Sequence, residues 1–216
     1  MAGFKDKAKP DYTFVVGPDA APAKAETQTE KPPFWKRPAA AVAIVAVVIV
    51  LGTLFGVRRS LTQASAVVTE QFYQGTDGSG YGIATDLDKI LEFSGNLVTV
   101  ANKYGSQFSA QAQAVTQARL ALDEAEGAAA RYKANEALLQ AVEALNQAMQ
   151  DADLADRDEQ YRSELYASIL SRTTIIAHEA TDYNAQVRSF NQDVLGAFPA
   201  NLLSGLAGVD QLEEYS

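Results

Sequence analysis

A chain of 216 residues carrying 27 acidic against 18 basic side chains, with no cysteine and a single histidine, excludes several functions at once. It can form no disulfide, thiolate nucleophile or thiolate metal site. Its net charge of −9 works against binding to nucleic acid.

Residues 1–38 are rich in proline and scattered Lys, Glu and Ala, a composition that buries too little apolar surface to order itself. One island, Tyr12 to Val16, alternates as a β-prone segment would and reads as an apolar patch in a polar tail. Then Ala39 to Val57 runs for 19 residues without a charge. A helix of that length spans about 28 Å, against about 30 Å for the hydrocarbon core of a bilayer. Trp35, Lys36 and Arg37 precede the run and Arg58 and Arg59 follow it, the aromatic and basic belt expected at headgroup level. The run is too long and begins too late for a signal peptide, so residues 39–57 are expected to form a single transmembrane helix. Lys24, Lys31, Lys36 and Arg37 outnumber Arg58 and Arg59, which by the positive-inside rule puts the N-terminus in the cytoplasm and the rest outside. Residues 60–216 hold nine basic and 22 acidic side chains, a net of −13.

The helix is expected to continue past the lipid to Tyr73, because no Gly or Pro intervenes before Gly75 and Leu61, Ala64, Val68 and Phe72 keep one face apolar. Gly52, Gly56, Ser60 and Ala64 recur every four residues, the spacing that lets helices approach closely in lipid. Gly75 to Gly82 reads as a flexible connector whose lone Asp77 lacks the partners of a calcium loop. Thr85 with Asp88 suggests a capping box for a second helix ending near Gly105. A third helical region covers 107–125, Gly127 breaks it, and 131–150 places Leu138, Val142, Leu145 and Met149 at helical spacing.

Asp151 to Glu159 holds four aspartates and a glutamate, which suit a solvated helix start better than a cation site. The last helix is expected from Leu154 to Leu195. Two interleaved heptad rows mark its packed stripe, Ile169, Ile176, Tyr183 and Phe190 beside Tyr166, Thr173, Ala180, Val187 and Val194, a coiled-coil-like pattern. Phe198-Pro199 then stops it. Asn184 and Asn191 share a face seven residues apart and read as buried amides bonded to neighbouring backbone. His178 falls off the stripe, at the surface.

Three segments carry a family resemblance. Asn96-Leu97-Val98, Lys133-Ala134-Asn135-Glu136 and the run Tyr183 to Gly208, with Asn184, Asn191, Phe198 and Pro199, resemble in order the signature segments of the LemA family, bacterial proteins with one N-terminal membrane helix and a helical domain. The chain departs from the family in having Gly95 where Pro usually precedes the first segment. The resemblance implies an all-α fold in which the transmembrane helix continues into an antiparallel, up-and-down four-helix bundle over residues 58–208, followed by a tail at 209–216. Nucleophile motifs, phosphate loops and metal-ligand spacings are absent, so neither catalysis nor a cofactor is expected. The expected role is a membrane-anchored structural or adaptor protein, a scaffold of the bacterial envelope, partnered by the bilayer and by other proteins or further copies of itself. The alternative is a ligand- or cation-binding sensor that signals along its stalk.

Overall fold

The computed structural model describes residues 38–216. Trp35, Lys36, Arg37 and the Tyr12–Val16 island lie outside the described residues. Six α-helices follow in order: α1 (Pro38–Gln74), α2 (Ile83–Asn102), α3 (Ser109–Asp123), α4 (Ala128–Gln150), α5 (Asp156–Ser189) and α6 (Ala200–Ala207). A π-helical segment, Phe190–Leu195, continues directly from α5. There is no strand among the described residues.

Helix α1 is unbroken for 37 residues, about 56 Å at the usual rise. Its most apolar window has a mean hydropathy of 2.8 and only 6% of that window is buried. It is thus long and apolar enough to cross a membrane, and too exposed for the core helix of a soluble domain. After Arg59 the helix changes character without changing geometry. Leu61, Val68 and Phe72 enter the main hydrophobic core, with Ala64 packed at its edge, as their spacing predicts.

The core is built from matching stripes. Ile90, Leu97 and Val100 of α2, Val115 of α3, Leu138 and Leu145 of α4, and Ile169 and Val187 of α5 are all at most 1% exposed. Helix α2 packs on α3 and α5, α3 on α4, and α4 on α5. Two ion pairs pin α2 to α5. Arg172 Nη1 lies 2.7 Å from Asp86 Oδ1, and Lys103 Nζ lies 2.6 Å from Asp158 Oδ1. Tyr104 Oη also donates to Asp158 Oδ2 at 3.0 Å and accepts from the Ala155 amide at 2.9 Å, which places the acidic start of α5 against the end of α2.

The breaks fall where glycine permits them. Gly105 (φ +64°) separates α2 from α3, and Gly127 (φ +82°) separates α3 from α4. The segment 75–82 is more structured than a loose connector. Gly80 N–H donates to Gln74 O at 2.9 Å and Ser79 N–H to Asp77 Oδ1 at 2.9 Å. A Cβ on Gly82 would sit 2.6 Å from the Phe72 carbonyl oxygen, so the loop folds back tightly onto the end of α1. Thr85 does not cap α2. Gly82 occupies the N-cap and no side chain bonds there.

Helix α2 runs through Gly95 without a break. Gly95 leaves room for Arg119, whose Nε donates to the Leu91 carbonyl at 3.0 Å. A Cβ at position 95 would lie 2.8 Å from Arg119 Nη2.

Candidate functional site

The heptad row of α5 begins one step earlier than its apolar members suggest. Arg162, seven residues before Ile169, is only 6% exposed. Burying a guanidinium requires full pairing, and Arg162 has it: Nη2 lies 2.6 Å from Glu159 Oε1, Nε donates to Glu159 Oε2 at 2.8 Å, and Nη1 donates to Asn146 Oδ1 of α4. The pairing holds the Glu159 carboxyl below its usual range. This network ties α4 to α5.

At the other end of the row the same face meets the C-terminal segment. Residues 209–216 have no regular secondary structure, and two asparagines seven apart grip their main chain. Asn184 Nδ2 donates to the Tyr215 carbonyl at 3.1 Å while the Tyr215 amide donates to Asn184 Oδ1 at 2.7 Å. Asn191 Nδ2 donates to the Leu212 carbonyl at 2.9 Å while the Leu212 amide donates to Asn191 Oδ1 at 3.0 Å. A primary amide presents one donor and one acceptor side by side, so each Asn satisfies both polar groups of one peptide residue. Between the two grips Arg188 Nη1 lies 2.9 Å from Glu214 Oε2.

Tyr215 is the anchor of the segment, 4% exposed. Its ring stands edge-on to Tyr132 of α4 at 5.2 Å and tilted against Phe72 of α1 at 5.9 Å, while Phe72 meets Tyr183 of α5 at 5.5 Å. Arg131 stacks its guanidinium 5.8 Å from the Phe72 ring and bonds the Ala125 carbonyl at 3.1 Å. One aromatic node thus joins α1, α4, α5 and the C-terminal segment. Burial pushes the Tyr215 phenol well above its ordinary range, with the neighbouring Asn135 side chain opposing the shift. Tyr215 Oη and Asn135 Oδ1 are both buried without a hydrogen-bond partner.

Of the residues singled out from sequence, Asn135, Tyr183, Asn184 and Asn191 converge on this segment. Leu97 is fully buried in α2, and Asn96 and Val98 are half-buried beside it. Phe198 and Pro199 are exposed, joined by a cis peptide bond. Arg58, Arg59, Gly52, Gly56 and Ser60 are exposed on α1, and Ala64 is half-buried. His178 is exposed. No group of three or more His, Asp or Glu side chains suited to a metal occurs among the described residues. Tyr215, Leu212, Tyr132 and Arg162 escape sequence reasoning. The one available signal is the spacing of Val209, Leu212 and Tyr215, every third residue in an otherwise polar tail.

An all-α protein among the described residues, with one helix there able to cross a membrane and a helical domain sealed by its own C-terminal segment, is the class these features define. Residues 81–216 match the LemA family, and the chain belongs to it. The match takes in the C-terminal segment and the asparagines that hold it. No curated protein and no solved structure matches the chain.

Proposed function

We propose that this LemA-family chain is a non-catalytic adaptor of the bacterial cell membrane, anchored by α1 with its N-terminus in the cytoplasm and its helical domain on the far side. In this reading α2, α3, α4 and α5 form an up-and-down antiparallel four-helix bundle. Support comes from the order of the pairs, since Asp86 meets Arg172 while Lys103 meets Asp158, and Tyr104 meets Phe108 while Leu91 meets Arg119. Short connections between neighbouring helices favour the same topology.

The observation that carries the adaptor reading is the continuity of α1, from an exposed apolar run into Leu61, Val68 and Phe72 of the core. Such a helix holds a packed domain close to the lipid surface, where it can recruit protein partners or further copies of itself. The exposed Gly52, Gly56 and Ser60 give that assembly a face for close helix contact in lipid. The acidic surface disfavours nucleic acid as a partner. Affinity capture of the full-length protein in detergent, beside cross-linking in native membranes, tests the reading. Recovery of reproducible protein partners or oligomers is expected, and a lone monomer in both experiments overturns it. Orientation is checked separately by labelling single cysteines placed at exposed Ser60 and exposed Ser109 with a membrane-impermeant reagent.

A further inference from the structure

The slot on α5 reads main chain as well as side chains. Its two asparagines bond the amide and carbonyl of Leu212 and Tyr215, Arg188 pairs with the Glu214 side chain, and the Tyr215 ring is buried. Any copy of this C-terminal segment presents the same groups, whichever chain carries it. We propose that the slot is an exchange site: the C-terminal segment of one copy seats between Asn184 and Asn191 of a second copy, linking chains in the membrane. The proposal rests on the adaptor reading for its cellular meaning, and it names what one adaptor grips in another.

Three features favour exchange over permanent closure. First, the slot itself holds the segment's main chain through partly buried polar contacts. Two hydrogen bonds to each asparagine and the Arg188–Glu214 pair, 50% and 33% exposed at its side chains and so weak, make up that grip. Second, the arm that carries the segment is lightly attached. Helix α6 packs against the π segment and ends at Gly208, whose φ of +65° is the joint to the segment. Third, the arm carries uncovered apolar side chains. Leu202 and Leu206, one turn apart on α6, are 67% and 75% exposed, and Phe198 in the turn before the helix is 80% exposed, apolar surface that a chain closed on itself leaves in solvent and that a crossing second arm would cover. Exchange keeps every contact inside the slot and changes only which chain supplies the arm, the low-cost route to association open to identical chains. Anchors that confine copies to one bilayer raise their effective concentration.

The absence of cysteine makes the test clean. Two full-length chains with different tags are co-expressed in membranes, one carrying Arg188→Cys and the other Glu214→Cys, and treated with a short bifunctional thiol reagent. The two positions face each other across the slot, so exchange is expected to give a covalent pair of differently tagged chains. That pair should fall several-fold when the Glu214→Cys chain also carries Tyr215→Ala. A single chain with both cysteines is the control. Internal cross-linking of the control without any mixed pair overturns the proposal, as does a mixed pair that Tyr215→Ala leaves undiminished. A control that does not link within or between chains removes the slot itself and the proposal with it. The cross-link reports only on the slot, so its failure leaves the search for other partners of the adaptor unaffected.

Discussion

The side-chain amide of Asn191 and the backbone of Leu212 pair as two strands of a sheet would, donor to acceptor and acceptor to donor, at 2.9 and 3.0 Å. Asn184 repeats the arrangement with Tyr215 two helical turns earlier. Replacing either Asn with Ala strands a peptide amide and carbonyl at a partly buried surface. Each single variant is expected to lose about 1–3 kcal/mol in urea denaturation, with faster hydrogen exchange at the Leu212 or Tyr215 amide. The double variant should lose less than the sum, because one segment is released in both cases.

Arg162 gives a second prediction through the contrast between breaking a pair and replacing it. Asn146→Leu leaves a buried guanidinium short of an acceptor and is expected to cost about 2–4 kcal/mol, near the lower end for a broken buried pair because Glu159 still holds two nitrogens. Arg162→Met combined with Asn146→Leu swaps the whole contact for apolar surface and should recover most of that loss. A double variant as unstable as Asn146→Leu alone would show that the network, and not its unpaired remnant, holds α4 to α5.

Glu179 titrates in the opposite sense to Glu159. Desolvation, followed by the charges of Asp86 and Asp77, raises the Glu179 carboxyl above its ordinary 4.5, and its Oε2 is buried without a partner. A carboxyl raised on folding disfavours the native state when ionised. That penalty is present in full above the folded pKa, shrinks as pH falls through it, and is gone below about 4.5. Glu179→Gln should therefore melt slightly higher than the parent at pH 7, by well under about 1 kcal/mol given the group's solvent access. Melting curves from pH 7 down to pH 4 should show the advantage disappearing.

Gly95 and Arg119 form a testable couple. Alanine at 95 favours a helix interior over glycine by about 1 kcal/mol, yet its Cβ would displace the guanidinium that bonds Leu91. In the parent the two effects are expected to cancel to within about 0.5 kcal/mol. In an Arg119→Ala background the clash is gone, and Gly95→Ala should stabilise by about 1 kcal/mol, measured as a double-mutant cycle by chemical denaturation.

Much of this architecture is written in local pattern. The unbroken α1, the glycine breaks at 105 and 127, and the buried row Ile169, Ile176, Tyr183 and Phe190 all follow from spacing, because each depends on residues within a few turns. Asn184 and Asn191 also read as buried amides bonded to neighbouring backbone; they do bond backbone, but both are half-buried. Their acceptor is what local reasoning misses: it lies 21 to 31 residues onward, in a segment whose own residues look solvated. Asp210, Gln211, Glu213 and Glu214 carry no periodicity that would order them, so the order of residues 209–216 is imposed from outside. The π segment and α6 are hidden for a related reason. Gly196 follows the wide turn, where a Cβ would collide with the Gln192 carbonyl oxygen, a backbone relation that no hydrophobic pattern encodes. Arg162 occupies a core register with a charged side chain, and only its partners in three dimensions explain its place.

Only Ser60 lies between Arg59 and Leu61. Leu61 is 4% exposed and sits two positions after an arginine that marks the end of the apolar run. If α1 crosses lipid along that run, no unfolded tether separates bilayer from domain. Proteases that shed domains from a cell surface need several extended residues in their clefts, and helical Arg58 to Leu61 supplies none without melting the stalk. The domain should thus resist release from intact membranes until α1 itself unwinds.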